Sequence, residues 1–327
     1  MSSTPTLFDA LSDEPPGIRL MPSADDDPEL AKVAAWFHGQ SALEECFGKV
    51  LRQSLDEVLD GQRTGRFDVN ELEKTEKTYI GTKVEIVCRS AFGFHQGARG
   101  RMDYLIDGIE VDAKFSLTEG WTIPREAVGQ LCLVMSANDG CSAFRVGLVR
   151  ASEAILNTGA NQDKKRTISK AKFGKISWLV PEGRLPENLL LHIPKADRIA
   201  ILAAGGHPGR PRSHGGQMRV DELFRRVQGR LVDRNTVVTV ASQEDGPKRV
   251  RDARLKLRSE GILVLGHQSE HPRICADLGL PAVPKGSYVA VRVIDSPQSE
   301  TPVTVIGGRQ YRVADPGENA GPAPESY

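Results

Sequence analysis

The sequence predicts a mixed α/β protein in two domains, and three observations carry that reading. Residues 109–115 alternate apolar and polar side chains and follow the apolar run 104–106 across Asp107-Gly108, as two strands joined by a tight turn do. Leu51, Leu55, Val58 and Leu59, and again Val84, Val87, Cys88 and Ala91, recur at helical spacing. Beyond residue 185 the composition changes, and residues 217–268 read as helix, helix, turn, helix, strand. A chain of 327 residues exceeds one ordinary hydrophobic core, which also argues for two domains.

The elements follow in order. Residues 1–30 hold seven acidic side chains against Arg19 alone, so residues 1–28 are expected to be a disordered acidic tail. From about 29 to 66 the pattern is helical and ends at "DGQRTGRF". Within it "VLDGQR" (58–63) resembles the nucleotidyl-transfer motif of DNA ligases, but Val58 stands where the nucleophilic lysine belongs, so adenylation is not expected. A second helix covers about 71–92, with Glu85 at the edge of its apolar stripe. The strands "MDYLI" and "IEVDAKF" come next, then a helical "PREAVGQ" with Pro124 in its first turn, then strands "LCLVMSA" and "AFRVGLV". This order suggests a mixed sheet flanked by helices over 29–184. Residues 157–177 are polar and basic and read as a linker or surface loop within that domain.

The second domain is placed at 185–313. Val220, Leu223, Phe224, Val227 and Leu231 form one apolar stripe. "NTVVTVASQ" suits a short helix, although its β-branched residues also suit a strand. "EDGP" then turns the chain into a helix in which Val250, Ala253 and Leu257 face inward. Gly261 ends it and "ILVLGH" starts a wing-like strand. Residues 314–327 are expected to be a second disordered tail.

Five scattered cysteines, with no C-x-x-C and no Cys/His spacing suited to zinc, read as reduced thiols. No apolar run spans a bilayer, and the N-terminus has no signal-peptide pattern, so a cytoplasmic protein that does not engage a membrane is expected. The net charge of +0 is unevenly spread, with residues 210–258 rich in Arg and Lys. Either a polyanion partner or a pair of oppositely charged solvated surfaces accounts for this asymmetry.

A two-residue turn at Asp107-Gly108 sets Ile106 against Ile109, Tyr104 against Val111 and Asp103 against Asp112. Facing carboxylates destabilise a sheet unless a cation lies between them, and Mg²⁺ suits a few carboxylates plus waters. Lys114 lies on the same face, and Glu85 is a further candidate acid. Glu85, Asp103 and Asp112 with Lys114 fit metal-assisted phosphodiester hydrolysis. The plain alternative is a solvent-facing hairpin with incidental charges, frayed where Arg101 opposes Lys114.

In the helix after "EDGP", Lys248, Arg249, Arg251 and Arg254 dominate the outer faces. This helix-turn-helix pattern, with a basic second helix, suits DNA. The plain alternative is a solvated basic helix. "PGRPR" at 208–212 reads as an exposed loop, and the glycine-rich stretch around it lacks the G-K-[ST] of a phosphate-binding loop.

"DGQRTGRF", "KTEKT", "VEI", "DYLIDGIEVDAKFS", "ENLLLHIP", "ELFRRVQGRL", "KRVR", "EGILVLGHQ" and "DLGLP" stand in an order and spacing that resembles the NaeI-type restriction endonucleases. The resemblance covers nearly the whole chain except the acidic tail. It implies a PD-(D/E)XK endonuclease domain followed by a mainly helical CAP-like, winged helix-turn-helix domain. It implies a type II enzyme, a Mg²⁺-dependent homodimer that cuts palindromic, GC-rich duplex DNA once a second, effector DNA is bound by the C-terminal domain. It sets Glu85, Asp103 and Asp112 as the acids and Lys114 as the lysine. The chain departs from the family in its N-terminal tail and in "GGHPGRPRSHGG". Two rival expectations are a helix-turn-helix regulator that cuts nothing and a structure-specific nuclease acting on branched DNA.

Overall fold

The computed structural model describes residues 27–97, 102–206, 215–296 and 303–327. The acidic tail through residue 26, Arg101 and the "PGRPR" segment lie outside these residues. The described chain is a mixed α/β protein that falls into two compact units, each built from several segments. One comprises 27–43, 93–136 and 145–181, and the other 44–92, 137–144 and 182–327, within the described residues.

The elements, in chain order, are the helices α1 (Pro28–His38), α2 (Leu43–Leu59), α3 (Gly61–Thr64) and α4 (Lys74–Phe92). Then come β1 (Tyr104–Ile106), β2 (Ile109–Ser116), β3 (Thr122–Ile123), β4 (Leu131–Asn138), β5 (Ala143–Arg150), β6 (Leu156–Ala160), β7 (Arg166–Ile168) and β8 (Ser177–Arg184). They are followed by α5 (Leu189–His192), α6 (Lys195–Ala203), α7 (Gly216–Arg226), β9 (Leu231–Asp233), α8 (Arg234–Ala241) and α9 (Gly246–Leu257). The chain closes with β10 (Ile262–Leu265), α10 (His271–Asp277), β11 (Ser287–Asp295), β12 (Val303–Ile306) and β13 (Arg309–Val313).

In the first unit, β1 and β2 form the expected hairpin. Asp107 (φ 48°) and Gly108 (φ 82°) both take the left-handed conformation that a tight turn of this hand needs. β2 runs antiparallel to β1 and parallel to β4, so the sheet, in the order β1-β2-β4-β5-β8, is mixed. Lys32 on α1 grips the turn through Asp107, reaching its carbonyl at 2.9 Å and its carboxylate at 3.2 Å. Trp36, Phe94 and Tyr104 stack behind it, with successive centroids 5.2 and 5.0 Å apart. The acidic run ends in ordered structure: Asp27 caps α1 at Leu30 N and, with Glu29, pairs with Arg150. "PREAVGQ" makes only a 3₁₀ turn at Arg125–Ala127, because Val128 and Gly129 leave the helical region and "LCLVMSA" takes over as strand. Residues 157–177 are no linker: β6 and β7 pair there and join β3 in a small antiparallel sheet.

In the second unit, α4 buries Ile80, Val84, Val87 and Cys88. Ala91, expected on that stripe, is exposed, and Ile80, one turn earlier, fills the role. A core of Val220, Leu223, Phe224, Val237, Val240, Val250, Ala253 and Leu257 joins α7, α8 and α9. The buried guanidinium of Arg219 donates to the carbonyls of Val240 and Ala241 at 2.6 and 2.8 Å, satisfying the open end of α8. Leu231 is not on the stripe of α7. The helix ends at Arg226, Gly229 turns the chain (φ 71°), and Leu231 emerges on β9. α9 meets the antiparallel strands β10 and β11 after Gly261 (φ 75°). The last residues are no free tail either. Ala323 is buried, the Tyr327 hydroxyl accepts from Val264 N at 3.1 Å, and the Tyr327 carbonyl meets His271 Nε2 at 3.1 Å.

Candidate active site and nucleic-acid interface

The hairpin register places the first acids. Tyr104 pairs with Val111 and Ile106 with Ile109, so Asp103 falls beside Asp112, one step past the last ladder pair. Asp103 Oδ2 accepts from Ala113 N at 2.7 Å, taking the place of a backbone carbonyl at the end of β1 and fixing that carboxylate against β2. Asp112 is only 6 % exposed. Burial pushes its carboxyl up to about 6, with the neighbouring Asp103 adding to the rise and Lys114 opposing it. Lys114 Nζ lies 2.5 Å from Asp112 Oδ2 and donates to Ala113 O at 3.1 Å. The first of these contacts is an ion pair. Asp112 Oδ2 is buried, and no hydrogen-bond donor satisfies it among the described residues.

An orphaned carboxylate oxygen beside a second carboxylate is a fitting place for a hard cation. Mg²⁺ uses one or two carboxylates and fills its other positions with water or phosphate oxygens. Among the described residues no three His, Cys, Asp or Glu side chains gather into a metal-binding group. Asp103 and Asp112 thus come together as expected. Glu85 sits on α4 in the other unit, half-buried and paired with Arg89.

β4 makes the floor of the hairpin site. Cys132 pairs with Asp112 and Val134 with Lys114, and both belong to a core cluster with Trp121, Ile123, Ile168 and Phe173. Burial, with Asp112 adding to it, pushes the Cys132 thiol up to about 12, so it stays protonated. Beyond β2 Glu119, buried at a left-handed φ of 59°, pairs with Arg145 at 3.2 Å. The Arg145 guanidinium covers the Trp178 ring at 3.8 Å. Sequence reasoning missed this brace because its partners lie on three separate segments, with no local pattern to join them.

The ligase-like stretch serves packing. Gly61 approaches α8 so closely that a Cβ there would lie 2.3 Å from Thr239 Oγ1, and Arg63 pairs with its neighbour Asp60.

On α9 the four basic candidates divide. Lys248 and Arg251 are exposed, and neither has an ion-pair partner among the described residues. Arg249 is half-buried and 3.9 Å from Asp252. Arg254 turns inward and donates to Val264 O at 2.7 Å, tying α9 to β10. Among the described residues no helix is long and apolar enough to cross a membrane.

The family model for restriction endonuclease NaeI matches residues 31–322. The type II restriction enzyme NaeI of Lentzea aerocolonigenes is 43 % identical over 307 residues, covering 92 % of this chain and 95 % of that protein.

Proposed function

The chain belongs to the NaeI family of restriction endonucleases, a type II site-specific deoxyribonuclease, and from this premise we propose how its residues divide the work. Asp103 and Asp112 would hold Mg²⁺ at the β1–β2 hairpin, and Lys114 would stand beside the scissile phosphate. The observation that carries this reading is the buried, unsatisfied Asp112 oxygen facing Asp103 and next to an ammonium group. When bound, Mg²⁺ would supply Lewis acidity at a phosphoryl oxygen and would lower the pKa of an attacking water. Lys114 orients that water and offsets the negative charge that builds on phosphorus. Water adds to phosphorus, the P–O3′ bond breaks, and the leaving oxygen takes up a proton, which leaves 5′-phosphate and 3′-hydroxyl ends. Glu85 is proposed as a third acid. The first domain takes the PD-(D/E)XK role, and α8–α9 with β10–β11 the CAP-like role.

We assign effector DNA to α9, where Lys248 and Arg251 project freely. Arg249 and Arg254 are secondary there, since both are turned toward the protein. A homodimer delivers one hairpin site to each strand of a palindrome. Family membership favours cutting over a regulator that only binds.

The test is cleavage of plasmid by the purified full chain with Mg²⁺ and with EDTA. Discrete fragments that require the divalent ion support the assignment. Fragments in EDTA, or cleavage confined to branched DNA, overturn it. Adding a short cognate duplex to a single-site plasmid should accelerate cutting if α9 holds an effector.

A further inference from the structure

We propose that the β6–β7 hairpin and the 3₁₀ turn after it form an arm that grips the phosphates of the substrate duplex. This inference rests on the DNA-cutting reading above and adds a surface to it. Residues 157–175 carry Lys164, Lys165, Arg166, Lys170, Lys172 and Lys175 against the single acid Asp163. Arg166 is spent internally, on Glu153 and on Asn157 O. The five lysines are exposed and have no ion-pair partner among the described residues.

Their placement is fixed. At the tip, Asn161 Oδ1 accepts from Lys165 N at 2.8 Å, and the Asn161 carbonyl accepts from Lys164 N at 2.9 Å. Lys164 takes a left-handed φ of 58°, a conformation that glycine or asparagine adopts at lower cost. Lys170, Lys172 and Lys175 ride on the Lys170–Lys175 turn, anchored by buried Phe173 and Ile176. That same cluster holds Cys132 and Val134, the strand partners of Asp112 and Lys114. Arm and acids therefore share one core, so a duplex held on the lysines is held in register with the cleavage site.

The chemistry of the arm selects the partner. Lysine presents a point charge without the planar fork that reads base edges or bidentate groups, so the arm positions DNA without reading sequence. The sole aromatic ring of the segment, Phe173, is buried, so there is no platform for stacking the bases of a single strand. Duplex phosphates remain as the matching ligand.

The experiment uses the full chain and a labelled duplex taken from a fragment the wild type cuts, with binding followed by anisotropy in EDTA across salt concentrations. The variant K164Q/K165Q/K170Q/K172Q/K175Q is expected to flatten the slope of log affinity against log salt by about 2 to 4, since each phosphate contact contributes about 0.9. Affinity at 0.1 M salt should fall roughly 10- to 100-fold on the same basis. In cleavage, the loss should be larger in the half-saturating DNA concentration than in the rate at saturation. Should the fivefold variant not fold, K164Q/K165Q and K172Q/K175Q should each flatten the slope by about 1 to 2. An unchanged slope in a protein that still cuts overturns the arm and leaves the nuclease reading standing. A wild type that neither binds nor cuts duplex overturns the nuclease reading and the arm with it. Loss of binding to phosphatidylserine vesicles with DNA affinity intact would mark the surface as a membrane site and overturn the proposal.

Discussion

The β1–β2 and β6–β7 hairpins of the same unit both crowd like charges, in opposite settings. In the first, Asp112 is buried, Asp103 is pinned beside it by Ala113 N, and one carboxylate oxygen is left without a donor. In the second, lysines spread into water from the turns on either side of β7. Exposed like charges cost little because water and salt screen them. Buried ones stay costly until a counter-charge reaches them. The acidic hairpin therefore keeps a burial cost that Lys114 offsets only in part, whereas the basic one is a comfortable surface that a polyanion can use. Like-charge crowding at the sequence level does not separate these cases; burial does.

The largest expected effect breaks the acidic side of this contrast. Asp112→Ala or Lys114→Ala should lower cleavage with Mg²⁺ by roughly 100- to 1000-fold, the scale of removing a catalytic electrostatic group. Cleavage surviving either change near wild-type rates would return the hairpin to an incidental surface.

Stability comes next. The Asp112 carboxyl is raised from 3.8 to about 6, so the folded state holds this proton more tightly than the unfolded one. The favourable contribution is complete below about pH 4 and is lost as pH rises through about 6. Asp112→Asn, which removes the ionisable group and keeps the shape, should therefore stabilise the metal-free protein above pH 7 by on the order of 2 kcal/mol. The gain should vanish near pH 4. Denaturant melts at the two pH values measure it, and equal differences at both would show that the carboxylate bears no burial strain.

A third test follows the same proton. Proton and cation compete for Asp112, so at sub-saturating Mg²⁺ the cleavage rate should fall about tenfold per pH unit below about 6. Saturating Mg²⁺ should move that limb to lower pH. A limb indifferent to the ion would argue that another group titrates.

The smallest effect lies on α9, where the contrast recurs within one helix. Arg251→Gln should weaken effector-duplex binding a few-fold and flatten its salt slope by about 1. Arg254→Gln should act mainly on stability by freeing Val264 O, at about 1 kcal/mol for a lost hydrogen bond. If Arg254→Gln flattens the slope as much as Arg251→Gln does, the inward orientation of Arg254 is not the one that meets DNA.

Much of this was legible in the sequence where the physics is local. A two-residue Asp-Gly turn admits one pairing, so the register from Ile106 against Ile109 to Tyr104 against Val111 could be read directly. The inward stripe Val250, Ala253, Leu257 follows from helical period alone. The basic segment after β5 was misread because its strands are short and its polar side chains are nearly all exposed, so no hydrophobic period marks them. The chain end was misread because glycine, proline and acid normally mark a tail, and only the pocket formed by Val264 and His271 gives Tyr327 a seat.

Taken by itself, the amino-acid order determined which side chains share a face: Asp103 with Asp112 and Lys114, and Val250 with Leu257. The tertiary structure alone decided which of those faces meet water. It buried Asp112 on β4, turned Arg254 onto β10 and left Lys248, Arg251 and the hairpin lysines outside. Facing is set locally, by the helical or strand period and by a two-residue turn within about ten residues of chain. Desolvation, which turns a charge from ornament into chemistry, is set by segments that are distant in sequence and meet only in the folded protein.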